Sequence, residues 1–269
     1  MRLDVYLVKG QWFASRTLAA EAIRKGWVKL DGKMVKKPSF IVDETLLHTI
    51  EISTTDICQY VSRGGLKLEK AIVVFGLDFS GKLVLDVGAS TGGFTDCALK
   101  NGAARVWAVD VGSSQLHLSL KDHPRVVSLE NTDIRVLNGS SVGMPPVDLV
   151  VCDVSFISLR HIIPHLSRFL KPEGKAVLLI KPQFEAGPGY LNKSGLVKDP
   201  KTHLQVLLSV AGWLAAEGFI LKNLTYAPLQ GKDHNIEYLA LAGRKGGSWV
   251  ITSELIEEAF EKNGWKPKG

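Results

Sequence analysis

Cysteine is scarce in this sequence. Cys58, Cys97 and Cys152 are its three thiols in 269 residues, and no two form a C-x-x-C pair. An odd, scattered count excludes a disulfide framework, argues against a zinc site, and suits a reducing compartment. Long apolar runs are missing as well. No stretch approaches the ~18 consecutive apolar residues of a membrane helix. The start, Met1-Arg2-Leu3-Asp4, is charged and does not open a signal peptide. These absences together predict a soluble, cytoplasmic protein. Internal repeats and low-complexity tracts are absent too. Neither sign of charge dominates: 33 Lys and Arg face 27 Asp and Glu, a net +6. That balance permits a polyanionic partner without demanding one.

What is present is enough apolar material, 45% of residues, for a sizeable core. The length suits one large domain of about 200 residues with a small companion. The basic charge is concentrated near one end. Lys9, Arg16, Arg24, Lys25, Lys29, Lys33, Lys36 and Lys37 are answered there only by Glu21 and Asp31.

Residues 1–57 read as a small α+β unit. Leu3, Tyr6 and Leu7 share one helical face. Ser15 is placed to cap a second helix, Arg16 to Lys25, with Leu18, Ala19, Ala22 and Ile23 at helical spacing. Val28 to Val35 reads as strand, Asp-Gly turn, strand, and Ile41 to Ile52 as further short strand material. Residues 58–65 form a linker and 66–269 a second domain. Its first helix is Leu66 to Phe75. Strands at Leu83–Val87, Arg105–Val109, Val126–Glu130, Val147–Cys152, Ala176–Ile180, Phe219–Ala227 and Ile236–Ala242 then alternate with helices at Gly93–Asn101, Leu159–Leu170 and His203–Glu217. Ser253 to Lys262 is a terminal helix. Several strands are near-continuous Val, Leu and Ile, as in a parallel sheet covered on both faces. The fold class is α/β, a doubly wound, mostly parallel seven-stranded sheet.

Ligands of such sheets sit outside the carboxyl ends of the strands. Leu83-Val-Leu-Asp86 runs into Gly88-Ala89-Ser90-Thr91-Gly92-Gly93-Phe94, a bare turn that lets a ligand approach backbone closely. It is neither G-x-G-x-x-G nor a P-loop. Acids end three successive strands. Asp86 suits a cationic group, Asp110 a ribose diol, and Asp133 an adenine amino group. An adenosine with a cationic tail, S-adenosylmethionine, fits all three. NAD competes for Asp110, but its pyrophosphate would be repelled by Asp86.

Two sets of motifs carry a family resemblance. Arg2-Leu3-Asp4, Ser15-Arg16 and the Val28–Val35 hairpin resemble an S4 RNA-binding domain. Tyr60 to Leu68 (YVSRGGLKL), Asp86 to Phe94, Cys152 to Ser158 (CDVSFIS), Lys181 to Glu185 (KPQFE) and Asn235 to Tyr238 (NIEY) resemble the TlyA, or hemolysin A-like, family. Those proteins are ribosomal RNA 2′-O-methyltransferases with an FtsJ-like, Rossmann-like class I catalytic domain. The resemblance covers nearly the whole chain. It implies a Lys-Asp-Lys-Glu tetrad at Lys67, Asp153, Lys181 and Glu237, with no metal. It also implies a ribosomal cytidine as target. Within that family the short start before Arg2 favours the large ribosomal subunit as partner, with the small subunit also possible.

The chemistry is coherent on its own terms. A ribose 2′-hydroxyl must lose its proton as it attacks a methyl group. A lysine serves as base only if its pKa falls from about 10.4 towards neutrality. Burial and a neighbouring cation act in that direction. Lys181 beside Lys67 would have such a neighbour, with Asp153 and Glu237 holding the pair. Taken singly, each residue has an ordinary reading: an exposed helix lysine, a helix-capping acid, a solvated strand end, an edge charge. Their order in the matched motifs lifts them together. His161, His165 and His203 read as structural, and His234 as a loop residue near the site. Gln183 to Pro200 reads as a long loop beside the site, with Phe184 holding a flipped-out target nucleotide. Arg16, Arg24, Lys25, Lys36, Lys37 and Arg63 are the expected RNA contacts, acting on phosphates that position without specifying sequence.

Three rival readings stand beside this one. A ribosome-binding protein without catalysis would have lost Lys181 or Asp153. A membrane-active hemolysin would need a span, a leader or a strongly amphipathic cationic helix. A small-molecule methyltransferase would leave the basic N-terminal unit without a purpose.

Overall fold

A computed structural model of the chain describes every residue except 11, 14, 15, 53–58 and 266–269, and the side chain of residue 18. Ser15 as a helix cap and the expected boundary at residues 57 and 58 therefore lie outside the described residues. The chain divides into two units, Met1–Arg63 and Gly64–Gly269.

In the first unit, α1 (Leu3–Lys9) and α2 (Arg16–Arg24) precede β1 (Val28–Leu30), β2 (Lys33–Met34) and β3 (Ile50–Ile52). The helices bury Leu3, Leu7, Ala19, Ala22 and Ile23 in one cluster with Val28, Leu30 and Val42. The three strands pair antiparallel in the order β2-β1-β3. Asp31 and Gly32 both take positive φ, 52° and 74°, the backbone that a two-residue hairpin turn requires. The strand material expected over Ile41–Ile52 reduces to β3 and one isolated bridge between Arg2 and Ile41.

The second unit runs α3 (Gly64–Phe75), β4 (Leu83–Val87), α4 (Gly93–Lys100), β5 (Arg105–Val109), α5 (Leu118–Lys121), β6 (Val126–Leu129), β7 (Val147–Cys152), α6 (Ile163–Leu166), β8 (Leu170–Ile180), α7 (Pro182–Glu185), α8 (Pro200–Ala216), β9 (Ile220–Tyr226), β10 (Tyr238–Gly243) and α9 (Ser253–Lys262). Its sheet has the order β6-β5-β4-β7-β8-β10-β9. β4 to β8 pair parallel, whereas β10 lies antiparallel between β8 and β9. Val84, Leu85, Val150, Val151, Val177 and Leu178 are fully buried. Each such side chain contributes about 1.5–3 kcal/mol by leaving water, which explains the unbroken apolar runs.

Two expected elements differ. The single helix expected over Leu159–Leu170 is a 3-10 turn (Leu159–His161), then α6, and Leu170 already opens β8. Pro164 lies in the first turn of α6 and has no N–H to continue a helix from upstream. Leu170 instead pairs with Val147. Gln183 to Glu185, expected in a loop, form α7 behind Pro182, a residue suited to a first helical turn. Because β10 is antiparallel, its start comes to the same edge of the sheet as the ends of β4, β5, β7 and β8. That edge is where the polar residues collect.

Candidate active site

The glycine-rich turn after β4 lies against the end of β7. Gly88 has φ +81°, and a Cβ added there would stand 2.7 Å from the Asp153 carbonyl oxygen. Only glycine allows that approach. Asp110, just past β5, ties the turn down. Its Oδ2 accepts from Ser90 N at 2.8 Å and its Oδ1 from Gly112 N at 2.7 Å. Each carboxylate oxygen retains a lone pair for a further donor.

A cavity of about 630 Å³ opens at these strand ends, lined by Gly88, Ser90, Asp110, Asp133, Asp153 and Phe156 among others. Its size is in the range of small-molecule sites, about 300–1,000 Å³. Of the residues expected around a cofactor, Gly88, Ser90, Asp110 and Asp133 line it. Asp86, Ala89, Thr91, Gly92, Gly93 and Phe94 do not. Asp133 pairs with Arg135 at 2.6 Å, and that hydrogen-bonded guanidinium holds its carboxyl below the usual range. Asp86 is fully buried. Its Oδ2 accepts from Thr95 Oγ1 at 2.6 Å, and its Oδ1 has no hydrogen-bond partner. Burial, reinforced by the negative charge of Asp153, pushes its pKa up to about 7. The expectation that Asp86 meets a cationic ligand directly thus finds the residue behind the cavity wall. The Gly88 cradle and the spare lone pairs of Asp110 fit an adenosine ligand.

Beside the cavity, four elements bring Lys67, Asp153, Lys181 and Glu237 together. Lys67 comes from α3, and Asp153 and Lys181 immediately follow β7 and β8. Glu237 immediately precedes β10. Lys67 Nζ donates to Glu237 Oε2 at 2.7 Å and lies 3.9 Å from Asp153 Oδ2. Lys181 Nζ lies 2.5 Å from Asp153 Oδ1 and donates to Ser155 Oγ at 2.7 Å. Asp153 therefore bridges two ammonium groups, and the four formal charges cancel. Lys181 is 7% exposed. Partly buried charges of this kind persist only when paired, because removing one leaves its partner uncompensated.

Several residues here carry no role in the sequence reasoning. Ser155 holds Lys181, and Gln183 Nε2 donates to Glu237 Oε1 at 3.2 Å. Glu185 accepts from Ser158 Oγ at 2.5 Å and Leu159 N at 2.9 Å, fastening the segment after β7 to α7. Burial raises its pKa. Phe156 is 91% exposed and sits at φ +63°, a strained backbone for an aromatic residue. Its ring centroid is 5.1 Å from that of Phe184. The Asp-Val-Ser-Phe motif contains two of these residues, but nothing in a sequence distinguishes an exposed aromatic from a core one. His203 is buried between Tyr238 and the Val197 carbonyl, and His234 is exposed in its loop.

Within the first unit, Arg16 pairs with buried Asp4 at 3.3 Å, Lys25 with Glu21 at 3.0 Å and Arg63 with Glu21 at 3.6 Å. Arg24, Lys36 and Lys37 are exposed and have no ion pair among the described residues.

A doubly wound sheet of this order, with its acid-flanked cavity at the carboxyl edge, defines a methyltransferase-type α/β enzyme. The profile of the FtsJ-like methyltransferase family matches residues 60–244, and that of the S4 domain residues 1–46. The chain belongs to the FtsJ-like methyltransferase family and carries an S4 domain at its N-terminal end. It is similar to the 16S/23S rRNA (cytidine-2′-O)-methyltransferase TlyA of Mycobacterium tuberculosis, 41% identical over 97% of this chain and 96% of that protein. It is equally similar to Hemolysin A of Brachyspira hyodysenteriae, 41% identical over 89% of this chain and 98% of that one. A solved Streptococcus thermophilus structure, titled as a candidate hemolysin, aligns over 98% of both chains with TM-score 0.78 and 37% identity. Among the described residues no helix is long and apolar enough to cross a membrane.

Proposed function

We propose that the protein methylates a ribose 2′-hydroxyl, on a cytidine of ribosomal RNA, using S-adenosylmethionine. The observation that carries this reading is the bridge from Glu237 through Lys67 and Asp153 to Lys181, assembled from four elements at the rim of the cavity. Relatives whose names state this reaction support the substrate class.

Bound S-adenosylmethionine supplies a methyl group on a positively charged sulfur. Asp110, with lone pairs to spare, takes the ribose hydroxyls of that ligand, and Gly88 leaves room for its backbone-close approach. Lys181 is the base, and the proton of the target 2′-hydroxyl passes to its Nζ. Asp153 and Ser155 fix the direction of that amine. Glu237 and Asp153 hold Lys67 beside it. With nucleophile and methyl held in line, much of the barrier falls through positioning alone. Phe156 and Phe184 offer an aromatic surface for a base taken out of its stack. Arg16, Arg24, Lys25, Lys36, Lys37 and Arg63 contact phosphates of folded RNA, which is read by shape more than by base edges.

The test is methyl transfer from labelled S-adenosylmethionine to purified ribosomal subunits lacking the modification, followed by nuclease mapping. Wild-type protein places label in a 2′-O-methyl cytidine. Lys181→Ala loses at least about 10²-fold in rate, the scale of a missing acid–base group. Undiminished transfer by Lys181→Ala would remove Lys181 as the base. No label in either subunit, with the methyl donor still bound, would remove ribosomal RNA as the substrate.

A further inference from the structure

The edge of the sheet that carries the tetrad does not end at Glu237. One strand further, Tyr226 closes β9 and pairs in register with Tyr238 of β10, the residue after Glu237. Over the face of Tyr226 lies the amine of Lys70, 3.7 Å from the ring centroid. Lys70 is one helical turn from Lys67 on α3, so the two side chains share a face of that helix. At the hydroxyl of Tyr226, Lys262 of α9 donates to the phenol oxygen at 3.0 Å and to Glu258 at 2.6 Å.

The charges along this edge differ in one respect. Lys67 and Lys181 are balanced by Asp153 and Glu237, and Lys262 by Glu258. Lys70 has no carboxylate within ion-pair distance among the described residues. It is half-buried, and burial followed by the nearby charge of Lys262 lowers its pKa. The charge of Glu258 acts on it in the opposite sense, but among the described residues Glu258 forms its ion pair with Lys262 and not with Lys70.

A ribose presents its 2′-hydroxyl on the carbon next to the one bearing the 3′-phosphate. A 2′-oxygen that reaches Lys181 therefore brings a phosphate close to the tetrad. The tetrad has no net charge with which to receive it. We infer that Lys70, braced on Tyr226 and flanked by Lys262, binds the backbone phosphate adjacent to the target ribose. The site takes a phosphodiester, not a base, and so adds affinity and register without adding sequence preference. This inference rests on the reading of the substrate as RNA.

The experiment measures binding of the full-length protein to unmethylated ribosomal subunits and to a short single-stranded RNA across a fourfold range of salt. Lys70→Met keeps the apolar stem over Tyr226 and removes the charge; Lys70→Arg keeps the charge. One lost phosphate contact reduces the slope of log K against log salt by about 0.7–0.9, so the Lys70→Met affinity falls about threefold less across that range. Lys70→Arg retains the wild-type slope, and affinity for the methyl donor is unchanged in both. A wild-type slope in Lys70→Met overturns the inference and leaves Lys70 as a brace between α3 and the sheet. A change confined to the melting temperature of Lys70→Met overturns it equally. Salt-independent RNA binding by the wild type would instead overturn the RNA reading itself, and with it the role of Lys70.

Discussion

Replacing Gly88 with Ala tests the idea that the ligand turn and the tetrad are one mechanical unit. Gly88 sits at φ +81°, and the new Cβ would lie 2.7 Å from the Asp153 carbonyl oxygen, 3.0 Å from its carbon and 3.1 Å from Val154 Cγ1. The left-handed backbone costs a non-glycine residue about 1–2 kcal/mol. Overpacking a tight contact costs about 1–3 kcal/mol more. The second unit holds both residues, so a total of about 2–5 kcal/mol lowers its melting temperature by about 4–20 °C. Relief of the clash must move the end of β7, because backbone atoms have no rotamer to retreat into. Asp153 then shifts away from Lys67 and Lys181. Thermal melts and methyl transfer, run on the same preparation, read both effects. We expect a rate loss of about 10²-fold, because misplacement of reacting groups by about 1 Å has that effect. A variant with wild-type melting and turnover would refute the argument. A variant destabilised as expected but fully active would show that the two motifs are not coupled.

Two further outcomes follow from the same geometry. His203 stays neutral in the fold, its pKa lowered to about 4 by burial, whereas an unfolded histidine titrates near 6.5. Between those values the unfolded chain binds the extra proton, so stability falls as pH drops from about 6.5 to about 4, by up to about 3 kcal/mol. Urea denaturation at a series of pH values should show that component in the wild type and not in His203→Gln; parallel curves would exclude it. Phe156→Gly relieves a positive φ worth about 1–2 kcal/mol against a glycine entropy cost of about 0.5–1 kcal/mol. It should be at least as stable as the wild type yet transfer methyl more than tenfold slower; unimpaired transfer would show that the exposed ring has no part in holding the substrate.

The sequence by itself determined the sheet. Runs such as Leu83–Val87 and Val147–Cys152 have no polar face to give to solvent, so they belong in the middle of a covered parallel sheet. It also determined the Asp31-Gly32 hairpin and the place of the glycine-rich turn, because those conformations admit few residue types. It misjudged the region after Leu159, where Pro164 and pairing with Val147 prevail over local helical spacing. The motif text placed Lys67, Asp153, Lys181 and Glu237 in order along the chain, with partners up to 170 positions apart. Only the tertiary structure decided who touches whom. The antiparallel insertion of β10 brings Glu237 to the shared edge, and the close approach at Gly88 sets the position of Asp153. Burial removes Asp86 from the cavity it was expected to line. Ser155, Phe156 and Lys70 acquire significance in the same way. Hydrogen bonding, exposure and unbalanced charge depend on neighbours that the linear order of residues does not contain.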